Sequence, residues 1–340
     1  MSEQRLPLGL NLGLWDRMTS WEDTVDIVRL AEELGYSSVS IPESFGRDGF
    51  TLCDRLLAAT ESIQVCLALA NVFSRSPAVL AQTAATLDEL SGGRFVLGLG
   101  SSTPNLVEGW HGLKYSRPLQ RTRETIEICH RIWARDPSPY AGEIFKVSGV
   151  KLGFTPLREH IPIWHGALLE NSLRLCGEKA DGWIPTLVPV AAIEPGREVL
   201  AQAAASAGRP LNCVTVVPTM QLLVGEDPQQ LLQMIKFGVA VYYGPPNSPY
   251  AKAAAKLGYA DDVQAICDAY AEGGSAAAIA ATSNALAGSV GIVGSIDECR
   301  SRVSDLLDTG IDRLLLSLPA ATRRDCEPIL EGIIPASLRS

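Results

Sequence analysis

The sequence predicts a (β/α)8 barrel, and three observations predict it. Short apolar, β-branched runs alternate along the chain with longer segments of helical period. The runs number eight, which is the count a closed barrel requires. They are apolar throughout rather than alternating, as expected of parallel strands buried on both faces, and strand–helix–strand repeats of this kind close by right-handed crossovers.

In chain order the strand-like runs are residues 8–14 (LGLNLGL), 37–41 (SSVSI), 64–70 (QVCLALA) and 95–100 (FVLGLG), then 161–166 (IPIWHG), 181–185 (DGWIP), 213–224 (CVTVVPTMQLLV) and 312–318 (DRLLLSL). Between them lie amphipathic helices. Residues 24–34 place Val25, Ile27, Val28, Ala31 and Leu34 close to one face, with Gly35 as the stop. Residues 77–90 begin at a first-turn proline and end at Ser91-Gly92-Gly93, and residues 118–133 and 296–307 behave alike. Two segments break the rhythm. Residues 140–152 read as a small hairpin on the barrel rim, and residues 237–286 as an Ala- and Gly-rich insertion between the seventh and eighth strands. That insertion carries Tyr242, Tyr243 and Tyr250 in a turn-rich patch. The expectation is a single domain over residues 1–340 with these two insertions.

Composition excludes several functions. The 340 residues are 46% hydrophobic and 20% charged, ordinary for a globular chain with a large core. The formal net charge is −9 with no basic cluster, which disfavours nucleic acid and an anionic membrane surface. Eight dispersed cysteines without a CxxC pair point to small buried hydrophobes and away from zinc or iron–sulfur ligation. The start of the chain is too short and polar for a signal peptide, and no apolar run reaches spanning length. A reduced, cytoplasmic protein is expected. In a barrel of this kind the chemistry belongs to the loops that follow the strands.

Three stretches go beyond fold class: residues 41–52 (IPESFGRDGFTL), 67–102 (LALANVFSRSPAVLAQTAATLDELSGGRFVLGLGSS) and 107–133 (VEGWHGLKYSRPLQRTRETIEICHRIW). With residues 177–185 (GEKADGWIP), they resemble the luciferase-like monooxygenase superfamily, and in particular its branch using the deazaflavin coenzyme F420, which includes methylenetetrahydromethanopterin reductases. The likeness covers nearly the whole chain in order.

The resemblance implies a coenzyme at the C-terminal mouth of the strands. Ala68, Leu69, Ala70 and Asn71 match the place where F420-dependent relatives carry a bulge with a non-proline cis peptide, here joining Ala68 to Leu69, that bends the central ring. Gly100, Ser101 and Ser102 match the turn whose amides and hydroxyls receive the coenzyme side chain, where small residues admit a ligand to the backbone. His165, Gly166 and Ala167 match the segment that holds the coenzyme phosphate, helped by amides opening the next helix, and Thr186 would contact the same end.

Glu43-Ser44 is a departure, because several F420-dependent relatives have Asp-His there. Glu43 would then bond the ring or substrate and, in a dry mouth, tend to hold its proton; the bland alternative is a carboxylate favouring the start of the next helix. His111 becomes the leading acid/base candidate, since histidine ordinarily titrates near 6.5, with Trp110 beside it at the pocket edge. Tyr242 and Tyr243 would wall a pocket for a sizeable, partly apolar substrate. Arg117, Arg121 and Arg123 would meet an anionic tail or simply be solvated.

The function this resemblance implies is hydride transfer between C5 of F420 and a C=C, C=N or C=O bond of a small organic substrate, or the reverse alcohol oxidation. An FMN-dependent monooxygenase supplied by a flavin reductase partner is the alternative. A non-catalytic ligand-binding or partner subunit is a second alternative. The family also implies a homodimer.

Overall fold

The computed structural model of the chain describes residues 5–13, 19–149, 151–319 and 322–339. Leu14, at the end of the first expected strand, and Val150, within the expected hairpin, lie outside the described residues. The strands are β1 (Leu6–Asn11), β2 (Tyr36–Ile41), β3 (Gln64–Asn71), β4 (Phe95–Gly100), β5 (Ile163–His165), β6 (Gly182–Trp183), β7 (Thr215–Val216 and Thr219–Val224) and β8 (Leu314–Ser317). Neighbours pair in parallel from β1 to β7, and β8 lies between β7 and β1.

The ring closes through β7. Its two pieces flank Pro218, which has no amide to give to a ladder, so the strand is interrupted there without leaving the sheet. On one side Val217 and Thr219 donate to the carbonyls of Trp183 and Pro185, at 2.8 and 2.9 Å; on the other Leu315 donates to Pro218 at 2.9 Å. Each of the eight expected runs is therefore a barrel strand.

Around the barrel run α1 (Trp21–Glu33), α2 (Gly49–Ala59), α3 (Pro77–Leu90), α4 (Pro118–Trp133), α5 (Glu170–Lys179) and α6 (Ile193–Ser206), then α7 (Pro228–Tyr243), α8 (Pro249–Ala254), α9 (Ala260–Ala281), α10 (Asn284–Ser289), α11 (Ile296–Asp308) and α12 (Arg323–Gly332). Their starts follow local chemistry. Ser20, Asp48 and Ser76 each accept from an amide three residues on, and Ser295 with Glu298 forms a reciprocal capping box. Gly35, at φ 83°, ends the first turnover from helix to strand as the sequence predicts.

Inside the barrel Cys66, Val96, Trp164, Ile184, Val217 and Leu315 form a buried cluster, on which Ala68 and Leu69 pack. The outward faces of the strands, Leu8, Leu10, Val39, Ile41, Leu97 and Leu99 among them, join the helices in the large outer core. The expected rim hairpin exists as Tyr140–Ala141 paired with Lys146–Val147, held by the buried Glu124 carboxylate, which accepts from the amides of Glu143, Ile144 and Phe145. The insertion differs from expectation in its bounds. It begins with α7, nine residues before 237, because Asp227 and Pro228 start a helix there. It has its own core of Leu187, Leu223, Ile235, Val239, Tyr243, Ile266 and Leu286. It is followed by a short strand, Gly291–Gly294, paired to the far end of β7, which the sequence reading leaves in a loop.

Candidate active site

The end of β3 is built around a bulge. Leu67 faces Leu97, but the next aligned pair is Ala70 with Leu99, so β3 spends three steps where β4 spends two. The Ala68–Leu69 peptide within it is cis, the bond the family resemblance implies. Three glycines make room. A Cβ on Gly98 would stand 2.2 Å from the Leu67 carbonyl oxygen, one on Gly100 2.8 Å from Leu69 Cδ1, and one on Gly166 2.2 Å from the same atom. Leu69, half-buried, thus reaches from β3 across the ends of β4 and β5. Leu69, Gly100 and Gly166, far apart in sequence, are brought together.

Buried polar atoms on the barrel strands lack partners, one of them at the end of this bulged strand. Asn71 is 3% exposed; its Oδ1 accepts from the Phe73 amide at 2.9 Å, while its Nδ2 has no hydrogen bond. Thr219 Oγ1, at the bridge between residues 186 and 219, is also buried and unpartnered. Buried donors are rarely left unmet without a ligand, water or ion to meet them. Ser101 and Ser102 are half-exposed after β4, and Ser102 is left-handed at φ 58°, a turn geometry in which successive amides form an anion-binding concavity. A coenzyme with carbonyl groups on its ring and an anionic side chain is matched by this donor set.

Glu43 is engaged in an ion pair. Its Oε2 accepts from Arg75 Nη1 at 2.6 Å, and Arg75 Nη2 donates to Asp48 Oδ2 at 2.7 Å. Glu43 also lies against Gly49, the first residue of α2, while Asp48 is the residue that caps that helix. Burial opposes the charge on Arg75, but Glu43 and Asp48 outweigh it and raise the guanidinium above its ordinary value. Burial likewise pushes the Asp48 carboxyl up, yet hydrogen bonds from Thr51 and the charge of Arg75 hold it below the usual range. Arg75 was missed in the sequence; the only signal was a cation at the start of a helix after a mouth strand. Ser44 is exposed.

Trp110 is 62% exposed and meets the exposed Phe45 edge-on, with centroids 5.7 Å apart, so the loop after β4 touches the loop after β2. His111 is half-buried, and its ring makes no hydrogen bond among the described residues. Tyr115 stacks on Phe73 at 5.1 Å, a contact that ties the same loop to the residues just after β3.

The expected phosphate end lies after β5. His165 is buried, and its Nδ1 is 2.9 Å from the Leu99 carbonyl, so that nitrogen carries the proton. Burial lowers its basicity, leaving Nε2 an unpartnered acceptor, which cannot donate to a phosphate. The amides of Leu168 and Leu169 are taken by Ser172 Oγ, and the first turn of α5 carries Glu170. Gly166 and Ala167 stay adjacent to the Leu69 side chain and to Trp183, whose Nε1 donates to the Ala167 carbonyl at 2.8 Å. Thr186 is exposed beside the barrel closure.

Tyr243 is not a pocket wall: it is fully buried in the insertion core, and its hydroxyl donates to the Leu187 carbonyl at 2.7 Å, fixing the chain just after Thr186. Tyr242 is exposed and packs edge-on against Tyr250. Of the three arginines, Arg117 pairs with Glu143 and Arg123 with Glu178. Arg121 instead lies over the rings of Phe73 and Phe145, at 4.7 and 5.1 Å, with its Nε buried and unpartnered.

The family model for luciferase-like monooxygenases matches residues 8–313. Among relatives, a Mycobacterium tuberculosis protein provisionally named a coenzyme F420-dependent oxidoreductase is 29% identical over 94% of this chain and 97% of its own. The 5,10-methylenetetrahydromethanopterin reductase of Archaeoglobus fulgidus is 26% identical over 91% of this chain and 93% of its own. Among solved structures, the coenzyme F420-dependent tetrahydromethanopterin reductase of Methanopyrus kandleri superposes with a TM-score of 0.80 at 20% identity, covering 97% of each chain. The FMN-bound oxygenating component of a Pseudomonas putida type II Baeyer–Villiger monooxygenase superposes at 0.68 and 20% identity, over 97% of this chain and 96% of its own. With this barrel, this bulge and a family match over nearly its whole length, the chain belongs to the luciferase-like monooxygenase family and is an enzyme of it.

Proposed function

We propose that the chain is a coenzyme F420-dependent oxidoreductase that transfers a hydride between a deazaflavin and a small organic substrate. The observation that carries this reading is the bulged end of β3 seated among Gly98, Gly100 and Gly166, with the unmet amide donor of Asn71 at its end. The likeness to F420-dependent relatives supports the choice of coenzyme. When bound, the deazaflavin supplies or accepts the hydride at C5.

The chain's own residues then bind, orient and screen. Leu69 and the Ala68–Leu69 backbone would back the ring, and Asn71 Nδ2 would donate to a ring carbonyl. Gly100, Ser101 and Ser102 would receive the coenzyme side chain. Arg75 holds Glu43 and the start of α2 in place beside the mouth. Trp110 against Phe45 would exclude water, and His111 would hold the substrate proton.

The FMN-bound neighbour supports a second reading, a two-component monooxygenase working with a reductase partner. The purified protein offered F420 and FMN, each oxidised and reduced, separates them by coenzyme fluorescence and calorimetry. Binding of F420 with substrate-dependent loss or gain of its absorbance is the expected result. FMN binding with oxygen consumption on addition of substrate would overturn it in favour of the monooxygenase.

A further inference from the structure

At the pole of the barrel opposite the mouth, side chains from three separate elements converge. His160 lies three residues before β5, Asp181 immediately before β6, and His130 in the last turn of α4. His160 Nε2 is 2.9 Å from Asp181 Oδ1, the rings of His130 and His160 are 4.7 Å apart, and one donor atom from each of the three lies within 4.8 Å of the others. His130 Nε2 is buried and unpartnered among the described residues. None of these atoms takes part in the mouth.

We propose that His130, His160 and Asp181 form a divalent transition-metal site, of the zinc class, at this pole. Two imidazoles and a carboxylate are a borderline donor set that selects zinc and its neighbours over magnesium or calcium, which take oxygen shells. Three protein donors leave the remaining position to water. The site is part-organised. Asp181 Oδ2 accepts from the Ile163 amide at 2.9 Å, which fixes the carboxylate and leaves Oδ1 to its neighbours. Arg209 pairs with Oδ1 at 3.5 Å while its Nη1 donates to the Gly177 carbonyl at 2.8 Å, so an ion seated here competes with this guanidinium for Oδ1.

The unmet Nε2 of His130 is the independent sign. A buried ring nitrogen without a hydrogen bond is available to an incoming ion. Seating the ion replaces the proton shared between His160 and Asp181, so that proton leaves to solvent and the three donors close by a small movement. The ion would then pin α4 to the starts of β5 and β6.

Calorimetry of the full chain with zinc chloride, beside cobalt(II) absorption spectra, tests this. One equivalent should bind, with cobalt giving d–d bands in the visible. His160 is 56% exposed, so His160→Gln should fold normally. It should weaken zinc binding by more than about tenfold, since losing a direct ligand costs at least what outer-shell losses cost. Absence of zinc binding would overturn the proposal. So would binding unchanged in His160→Gln, which would place the ion elsewhere, for instance on Cys213 or Cys267.

Discussion

The Leu69 side chain occupies the space that a Cβ on Gly166 would need, since the two would stand 2.2 Å apart. Gly166→Ala must therefore push Leu69 off the end of β5. Overpacking of this kind destabilises by about 1–3 kcal/mol, and Leu69→Ala should recover much of it because the clash is with a side chain. A double-mutant cycle in urea should give a coupling of about 0.5–3 kcal/mol between the two sites. Additive effects would mean that they do not touch. Gly98→Ala is the contrasting case. Its Cβ would meet the Leu67 carbonyl oxygen at 2.2 Å, and backbone cannot step aside, so Leu69→Ala should not rescue it.

Arg75 joins Glu43 and Asp48, and Arg75→Met should leave the largely buried Glu43 carboxylate unmet, at a cost of about 1–3 kcal/mol. Arg75→Lys should restore only part, because an ammonium cannot span two carboxylates as the guanidinium fork does. The pH dependence follows from Asp48. Its folded value lies below the ordinary 3.8, so its contribution is present above that value and is lost as pH falls through the lower folded one. Wild type should lose stability more steeply than Arg75→Met below about pH 4, read from denaturation midpoints.

How far the sequence speaks depends on what each residue answers to. The strands and most helices were legible because their signals are local: an apolar run, a capping serine, a proline opening a helix. The bulge was legible only through family likeness, since Ala68-Leu69-Ala70 is an unremarkable strand end until Gly98, Gly100 and Gly166 are packed against it. Arg75 was not legible, because its partners lie 27 and 32 residues away and only the barrel brings them together. Tyr243 misled for the same reason: an aromatic beside prolines reads as a rim residue, but the insertion folds a core of its own and buries it. His165 was placed on the right strand, but the bond of its Nδ1 to the Leu99 carbonyl across the sheet was not legible from the run around it.

His130 and His160 should tilt stability with pH in opposite senses. The folded His130 titrates at about 4 against an ordinary 6.5, so as pH falls through that window the unfolded chain takes the proton first and stability drops. Asp181 raises the folded value of His160, so its contribution is full below 6.5 and is lost as pH rises through the higher folded value. His130→Gln should flatten the stability curve between pH 4 and 6.5. His160→Gln should lower stability at pH 6 more than at pH 8. Denaturation midpoints taken in a metal-free buffer across this range check both; parallel curves for the two variants would contradict the assignment.

On the proposed function, with Glu43 engaged by Arg75, we assign the proton of hydride transfer to His111. It is half-buried at the end of the loop that Trp110 and Phe45 tie to the mouth, and its ring is free of hydrogen bonds among the described residues. A group that moves a proton must be able to reach substrate, and a ring already locked to protein neighbours could not. His111→Gln keeps size and polarity but cannot shuttle a proton, so turnover should fall by about 10²-fold or more. KM and coenzyme affinity should change little, and one limb of the pH profile of kcat should vanish. Glu43→Gln should mainly disturb the packing of Arg75, lowering stability while leaving the shape of that profile intact. If His111→Gln turned over like wild type at every pH, the proton would have to come from water or from a residue outside this loop.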